Sequence, residues 1–308
     1  MEYNPSFSFV MPAYKRQFLQ QSIESILKQT YTNLELVVVD DASPENLYEV
    51  VRQFDDRRLR YERNPENIGA GDLVANWNHC LQFAKGEFVI LATDDDVLHA
   101  NYLADAVRLL RCHPEVDIVR QGVRKVDAEG NCLEYELFLP EYLSASEFAY
   151  FWGCCGVISC IPCFIFRRSA LLQRGGFVSF PAAHFSDVAT ALALSPHGVT
   201  CVQAWNVDFR MSSANLSNRN DSPLVLAQIE STLRFMDWLH DFLRNVDDGS
   251  PGRILSAHAF QGFRRQYLYM MQNLLAKIPC RWFLRRLSFA CRSPYAYKKE
   301  RLRWLLGI

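Results

Sequence analysis

Through roughly the first 110 residues, near-continuous apolar runs alternate with segments of helical period, and this alternation constrains the fold more than any other feature of the chain. Phe7-Ser8-Phe9-Val10-Met11 reads as a strand stopped by Pro12, after which Leu19, Ile23, Ile26 and Leu27 recur at helical spacing. Leu34 to Val39 is a second apolar strand, ending in Asp40-Asp41-Ala42-Ser43. Ser43 followed by Pro44 is a helix-start signal, an N-cap and then N1, for a helix whose buried face is Leu47, Val50, Val51 and Phe54. Leu59 to Glu62 is a short strand, and the loop from Asn64 to Gly71 leads into a helix carrying Leu73, Val74, Trp77, Leu81 and Ala84. Phe88-Val89-Ile90-Leu91-Ala92 then runs straight into Thr93-Asp94-Asp95-Asp96. Strands apolar at nearly every position must be buried on both faces, which is the condition of a parallel sheet covered by helices.

In such sheets ligands sit outside the carboxyl ends of the strands. Every polar motif in this half falls there: Pro12-Ala13-Tyr14, Asp40-Asp41, Asn67-Ile68-Gly69 and Asp94-Asp95-Asp96 follow the four strands in turn. Any one of them alone reads as a solvated turn or a helix cap. Three adjacent carboxylates repel one another, and oxygen-only ligands suit a hard cation, Mg²⁺ or Mn²⁺, shared with substrate phosphates. No GxGxxG or GxxxxGK[ST] loop is present, so a dinucleotide site or a P-loop is not expected.

Over roughly residues 5 to 217, the order and spacing of these strings resemble the family 2 glycosyltransferases. The resemblance rests on Val10-Met11-Pro12-Ala13-Tyr14-Lys15, on Val37-Val38-Val39-Asp40-Asp41-Ala42-Ser43, on Asn67-Ile68-Gly69 with Asn76-Trp77-Asn78 and Ala84-Lys85-Gly86-Glu87-Phe88, and on Thr93-Asp94-Asp95-Asp96. It implies a GT-A fold, an α/β Rossmann-like mixed sheet flanked by helices, with a C-terminal helical extension. The implied division is a catalytic domain at 1–217, with a nucleotide-sugar half at 1–110 and an acceptor half at 111–217, and a basic helical extension at 218–308. It further implies that Pro12, Ala13, Tyr14, Asn67 and Gly69 belong to the donor site, that Tyr14 stacks on the nucleotide base and that Asp41 reads the uracil imide. Thr93 stands where the common acidic motif begins with Asp, so Asp95 is assigned the metal and Asp94 the ribose or a water-mediated metal contact. A shift of one position would give the metal to Asp96, which otherwise caps a helix beginning near His99.

Glycosyl transfer also needs a base for the acceptor hydroxyl. Asp187, at the start of a helix continued by Val188, Leu192 and Leu194, reads on pattern alone as a helix cap. The family places its base at the head of such a helix after a segment matched here by Gly175-Gly176-Phe177, and so implies that role for Asp187. The residue before it, often Glu in the family, is Ser186. His184 is the rival base. Arg210 resembles a family Arg that precedes a His two positions on, where this chain has Ser212. Cys154-Cys155 and Cys160-x-x-Cys163 offer half a zinc site, but their apolar surroundings favour buried free thiols.

The chain has 308 residues and a formal net charge of −1, which excludes a strongly basic nucleic-acid binder. From Arg253 onward twelve Lys and Arg face a single acid, Glu300. Arg281, Trp282, Phe283, Arg285 and Arg286, and later Lys298, Lys299, Arg301, Arg303, Trp304 and Leu305, interleave basic and bulky apolar residues. Two readings stand: helices packing on the catalytic domain, or docking on an anionic membrane surface. Met1-Glu2-Tyr3-Asn4-Pro5 does not look like a signal peptide and no apolar run reaches the roughly 18 residues of a membrane span. The expectation is a cytoplasmic protein, soluble or peripheral on the inner face of the membrane, with its ten cysteines reduced.

The expected function is a metal-dependent inverting glycosyltransferase using Mn²⁺ or Mg²⁺, a nucleotide-sugar donor of the UDP type and a saccharide or lipid-linked saccharide acceptor, in surface polysaccharide or glycolipid synthesis. The rivals are a sugar-phosphate nucleotidyltransferase, whose Gly-rich first loop is missing here, and a non-catalytic sugar-nucleotide-binding or scaffold protein.

Overall fold

The computed structural model describes residues 3–211, 222–278 and 283–306. Strand β1 (Phe7–Ala13) lies between β2 (Leu34–Asp40) and β4 (Phe88–Leu91), with β3 (Leu59–Arg63) beyond β2, and these four run parallel. Strand β9 (Phe164–Arg167) continues the sheet antiparallel to both β4 and β6 (Ile118–Val126). Next to β6 runs β10 (Val199–Arg210), parallel to it, with the short β5 (Val97–Leu98) antiparallel on its far side. The order is therefore β3-β2-β1-β4-β9-β6-β10-β5, a mixed sheet. Hairpin strand β7 (Cys132–Tyr135) pairs with β6, and β8 (Tyr142–Leu143) with β10.

The expected alternation is present. Helices α1 (Leu19–Leu27), α2 (Tyr48–Val51) and α3 (Leu73–Cys80) connect the first four strands, and α4 (Tyr102–Cys112) follows β5. Phe9, Val10, Met11, Val37, Val38, Val39, Val89, Ile90 and Leu91 are fully buried, and each such side chain contributes about 1.5–3 kcal/mol relative to exposure. The chain runs one way from β1 to β2 and β3 and returns to the other side of β1 for β4. The carboxyl ends of β1 and β4 thus flank a topological switch point, where open α/β sheets bind ligands.

Strand β1 continues through Pro12 to Ala13, past the expected stop. Its ladder to β4 ends at Val10–Leu91, while the ladder to β2 runs on to Ala13–Asp40. Ala92 donates to Val10 O and Asp41 to Ala13 O, so by strand alternation the Pro12 nitrogen faces the side where pairing has ended. A missing N–H costs no ladder bond there. Gly86, at the entry to β4, crosses the backbone of Phe7 and Ser8 at a distance that leaves no room for a β-carbon.

Two expected helix starts are corrected. Helix α2 begins at Tyr48, with Leu47 as its N-cap, rather than at Ser43. Ser43 Oγ accepts from the Glu45 amide at 3.1 Å, as an N-cap would, but its own amide donates to Asp40 Oδ1 and its hydroxyl to Tyr14 O, so the residue closes a turn and not a helix. Likewise Asp96 caps no helix, because Val97–Leu98 is a strand and α4 starts after Asn101.

Helix α5 (Ala145–Cys154) opens with a capping box of Ser144 and Glu147, and α6 (Arg168–Gln173) and α7 (Ser186–Ala193) follow β9. The last segment holds α8 (Ser222–Asn245), α9 (Gly249–Ala276), α10 (Phe283–Arg292) and α11 (Lys298–Leu306). Helix α9 crosses α5 where Gly153 meets Gly262, backbone against backbone, and a β-carbon on either would collide with the other helix. On α11, Trp304 is buried edge-on against Tyr267 of α9, whereas Lys298, Lys299 and Arg303 are exposed. Packing on the rest of the fold therefore accounts for Trp304. Ser212, Arg281 and Trp282, the side chains of Phe283, Arg285, Arg286 and Leu305, and the expected boundary at 217 lie outside the described residues. No helix among the described residues is long and apolar enough to cross a membrane.

Candidate active site

A cleft of about 610 Å³ opens at the switch point. Pro12, Ala13, Tyr14, Asp41, Asn67, Gly69, Asp94, Asp95 and Asp96 all line it, so four strand ends far apart in sequence form one wall. Lys15, Trp77 and the segment Cys160-Ile161-Pro162 complete it.

The two acids after β2 have separate tasks. Asp40 is buried and held by Tyr61, Arg63 and the Ser43 amide, so it builds the turn. Asp41 faces the cleft. Its Oδ1 accepts from Asn64 Nδ2 at 2.8 Å and from the Ile68 amide at 2.9 Å, and its Oδ2 accepts from the Gly69 amide at 2.8 Å. A carboxylate offers about four lone-pair sites, so one remains for a ligand N–H. Tyr14 stands at the rim, 42 % exposed, with its ring free to stack.

The three consecutive acids also diverge. Asp94 Oδ2 accepts from the Tyr14 and Lys15 amides, both at 2.8 Å, which locks the end of β1 to the end of β4. Asp96 is buried, receiving the Arg210 amide on Oδ1 and the Thr93 hydroxyl on Oδ2. Burial first, and the adjacent Asp95 charge second, push both carboxyls above the ordinary range. Arg210 is spent on structure, donating to the carbonyls of Asp95 and Ala128 and to Gln21. The Asp95 carboxylate has one partner among the described residues, Lys15 Nζ at 3.7 Å.

Asp95 therefore keeps open oxygens beside two crowded carboxyls that a cation would relieve. No group of three or more His, Cys, Asp or Glu is arranged to hold an ion among the described residues. A hard cation held by one or two carboxylates and completed by substrate phosphates needs no such cage. The donor set fits Mg²⁺ or Mn²⁺ in that mode.

Asp187 lies in the first turn of α7, outside the lining of this cleft. The chain reaches it through three non-glycine residues with left-handed backbones, Ala182, Ala183 and Phe185, a concentration of strain found at functional segments. Its Oδ2 accepts from the Ser159 hydroxyl, and Ser159 immediately precedes Cys160 on the cleft wall. Burial raises the Asp187 carboxyl above its usual range, and the Ser159 hydroxyl pulls the other way. Gly176 and Phe177 are anchored on α3: the Phe177 amide donates to Asn78 Oδ1 at 2.8 Å, and Gly176, at φ 98°, lies where a β-carbon would strike Asn78. His184 does not share the Asp187 setting, since its ring meets Met270 Sδ at 3.2 Å and burial lowers it to about 4.

Cys160 and Cys163 are buried free thiols, while Cys154 is half-buried and Cys155 exposed. Burial raises the Cys160 thiol well above its normal range, which makes it inert. Sequence reasoning placed Lys15 in the first-strand motif without a role, and missed Ser159 and the buried pair Arg120–Glu136 as parts of this region. Only Arg120 left a signal, a charge inside the apolar run Ile118-Val119-Arg120-Gln121.

The model of the family described as Glycosyl transferase family 2 matches residues 8–175. The chain is 36 % identical over 241 residues to UDP-Glc:alpha-D-GlcNAc-diphosphoundecaprenol beta-1,3-glucosyltransferase WfgD of Escherichia coli, a match covering 77 % of this chain and 87 % of the relative. It is 32 % identical over 134 residues to the putative glycosyltransferase EpsE of Bacillus subtilis, covering 42 % of this chain and 47 % of EpsE, so that it spans less than half of that relative. Among solved structures, S. aureus TarS 1-349 in complex with UDP-GlcNAc superposes with a TM-score of 0.64 at 16 % identity, covering 98 % of this chain and 89 % of that one. The mannosyltransferase PcManGT from Pyrobaculum calidifontis, in complex with GDP-Man and Mn²⁺, gives 0.59 at 19 % identity, covering 99 % and 86 %. Both share the GT-A type of fold with this chain.

Proposed function

Because the chain belongs to glycosyl transferase family 2, we propose that it moves a sugar from a UDP-sugar to a hydroxyl of a lipid-linked saccharide, with inversion at the anomeric carbon. The observation that carries the donor assignment is the single cleft at the switch point, where Asp41 keeps one acceptor site and Asp95 keeps open oxygens. Uracil offers one imide N–H, which matches that remaining site on Asp41, and Tyr14 is free to stack on the ring. The name of WfgD, which covers most of both chains, supports UDP-glucose and a diphosphoundecaprenol-linked acceptor as the first pair to try.

In this reading Pro12 and Ala13 shape the cleft floor, Asn67 and Gly69 wall the nucleotide, and Asp94 holds the end of β1 in register with the acidic loop. Asp95 would hold Mn²⁺ or Mg²⁺, which would supply positive charge to the leaving diphosphate. Asp187 accepts the acceptor proton, the acceptor oxygen bonds to the anomeric carbon, and the bond from that carbon to phosphate breaks with its electron pair leaving on UDP. A carboxyl raised by burial is a stronger base once ionised, which suits this task. We assign catalysis to residues 1–217, with donor half 1–110 and acceptor half 111–217, and the placing of a lipid-linked acceptor at an anionic membrane surface to the basic extension at 218–308. The exposed Lys298, Lys299 and Arg303 support that last part.

The test is a calorimetric titration of UDP into the protein with and without Mn²⁺, with GDP as control. Tight binding of UDP only with metal is expected. Preferential binding of GDP would overturn the donor assignment, and binding of neither would favour a scaffold.

A further inference from the structure

The segment between α5 and β9 connects three regions. Arg120 and Glu136 are both buried, 2 % and 6 % exposed, and paired at 2.6 Å. Together they hold both backbone groups of Ile158: its amide donates to Glu136 Oε1 at 2.9 Å and its carbonyl accepts from Arg120 Nη2 at 2.8 Å. Glu136 Oε2 also accepts from the Val123 amide, and the Trp205 indole N–H donates to Glu136 O, so the pair is fixed to β6 and β10. The next residue, Ser159, donates to Asp187, and the one after it, Cys160, lines the donor cleft. A buried ion pair that grips the amide and the carbonyl of one residue fixes the peptide units on both sides of it and leaves the next residue little freedom.

We propose that Ser159 is a positioning residue for Asp187, holding one carboxylate oxygen by a hydroxyl whose own place is set by the Arg120–Glu136 grip on Ile158. The inference rests on the base role of Asp187 proposed above. It explains why a charged pair is kept in the interior, where desolvation makes an ion pair a poor source of stability: its return is the orientation of the peptide that carries Ser159. A hydroxyl donating to an ionised carboxylate favours the charged form, so Ser159 keeps a buried Asp187 available as a base at moderate pH.

The test reads Asp187 directly. Protein labelled with ¹³C at Asp carboxyl carbons is titrated by NMR, with the Asp187 signal identified by its loss in Asp187→Asn. Ser159→Ala is expected to move the Asp187 midpoint upward by about one pH unit, the size of a hydrogen bond to a charged group. Ser159→Thr, which keeps the hydroxyl, is expected to restore it, and UDP binding in the presence of Mn²⁺ is expected to be unchanged in both. An unmoved midpoint in Ser159→Ala would overturn the positioning role while leaving the base role intact. Full sugar transfer by Asp187→Asn would overturn the base role itself, whatever the midpoint does.

Discussion

The Gly69 amide donates to Asp41 Oδ2 at 2.8 Å, and the space a β-carbon would take at Gly69 is filled by that same oxygen, at 2.9 Å, and by Asn76 Nδ2, at 3.3 Å. Loop and carboxylate are therefore fitted to each other before any ligand arrives. Gly69→Ala is expected to push the loop off Asp41 and weaken UDP binding by about tenfold, the loss of one well-placed hydrogen bond. Calorimetry with UDP and Mn²⁺ reads the change, and unaltered affinity would show that Asp41 does not depend on the loop.

Asp95→Ala should separate binding from stability. The side chain's one described partner is Lys15 at 3.7 Å, a long contact whose loss is offset by the repulsion that Asp95 exerts on Asp94 and Asp96. The melting temperature is expected to stay close to that of the unaltered protein, while the Mn²⁺-dependent part of UDP binding disappears. Retained metal dependence would transfer the ligand role to Asp96.

Asp187→Asn is expected to leave donor binding intact and to lower transfer by about 10²–10⁴-fold, the usual contribution of a general base. Burial raises the Asp187 carboxyl, so the rate should fall with decreasing pH at a point above the ordinary carboxylate range. The sign for stability is opposite. A raised folded-state pKa contributes stability that is complete below the unfolded value and is lost as pH rises through the folded one. At neutral pH the Asn variant should therefore melt no lower than the unaltered protein, a comparison that scanning calorimetry makes directly.

Glu136→Ala strands the Arg120 guanidinium in the interior. Removing one member of a buried pair costs about 3–5 kcal/mol, and here the Ile158 amide also loses its acceptor. Urea unfolding should show that loss in the midpoint. A change below about 1 kcal/mol would mean that water reaches Arg120.

Much of this architecture is legible in the sequence because it is local. The apolar runs from Phe7, Leu34 and Phe88 announce buried parallel strands, and the polar strings that follow them must share a rim once the strands are side by side. What is illegible is set by partners far along the chain. Ser43 has the chemistry of an N-cap and accepts from the Glu45 amide, but its bonds to Asp40 and Tyr14 tie it into a turn that no helix directly follows. Asp96 has the chemistry of a metal ligand, but the Arg210 amide, 114 residues away, claims one of its oxygens. Ser159 and Asp187 meet only after the sheet has brought β9 between β4 and β6, and no spacing rule relates positions 28 apart with a strand and a helix between them.

Where Gly153 and Gly262 touch, no side chain separates α5 from α9, so the two helices approach as closely as their backbones allow. Helix α9 thus lies directly against the helix that leads, through Cys155, Gly156 and Val157, to the segment that carries Ile158 and Ser159. A β-carbon added at this seam would therefore be felt one helix away from the stretch that hydrogen-bonds Asp187.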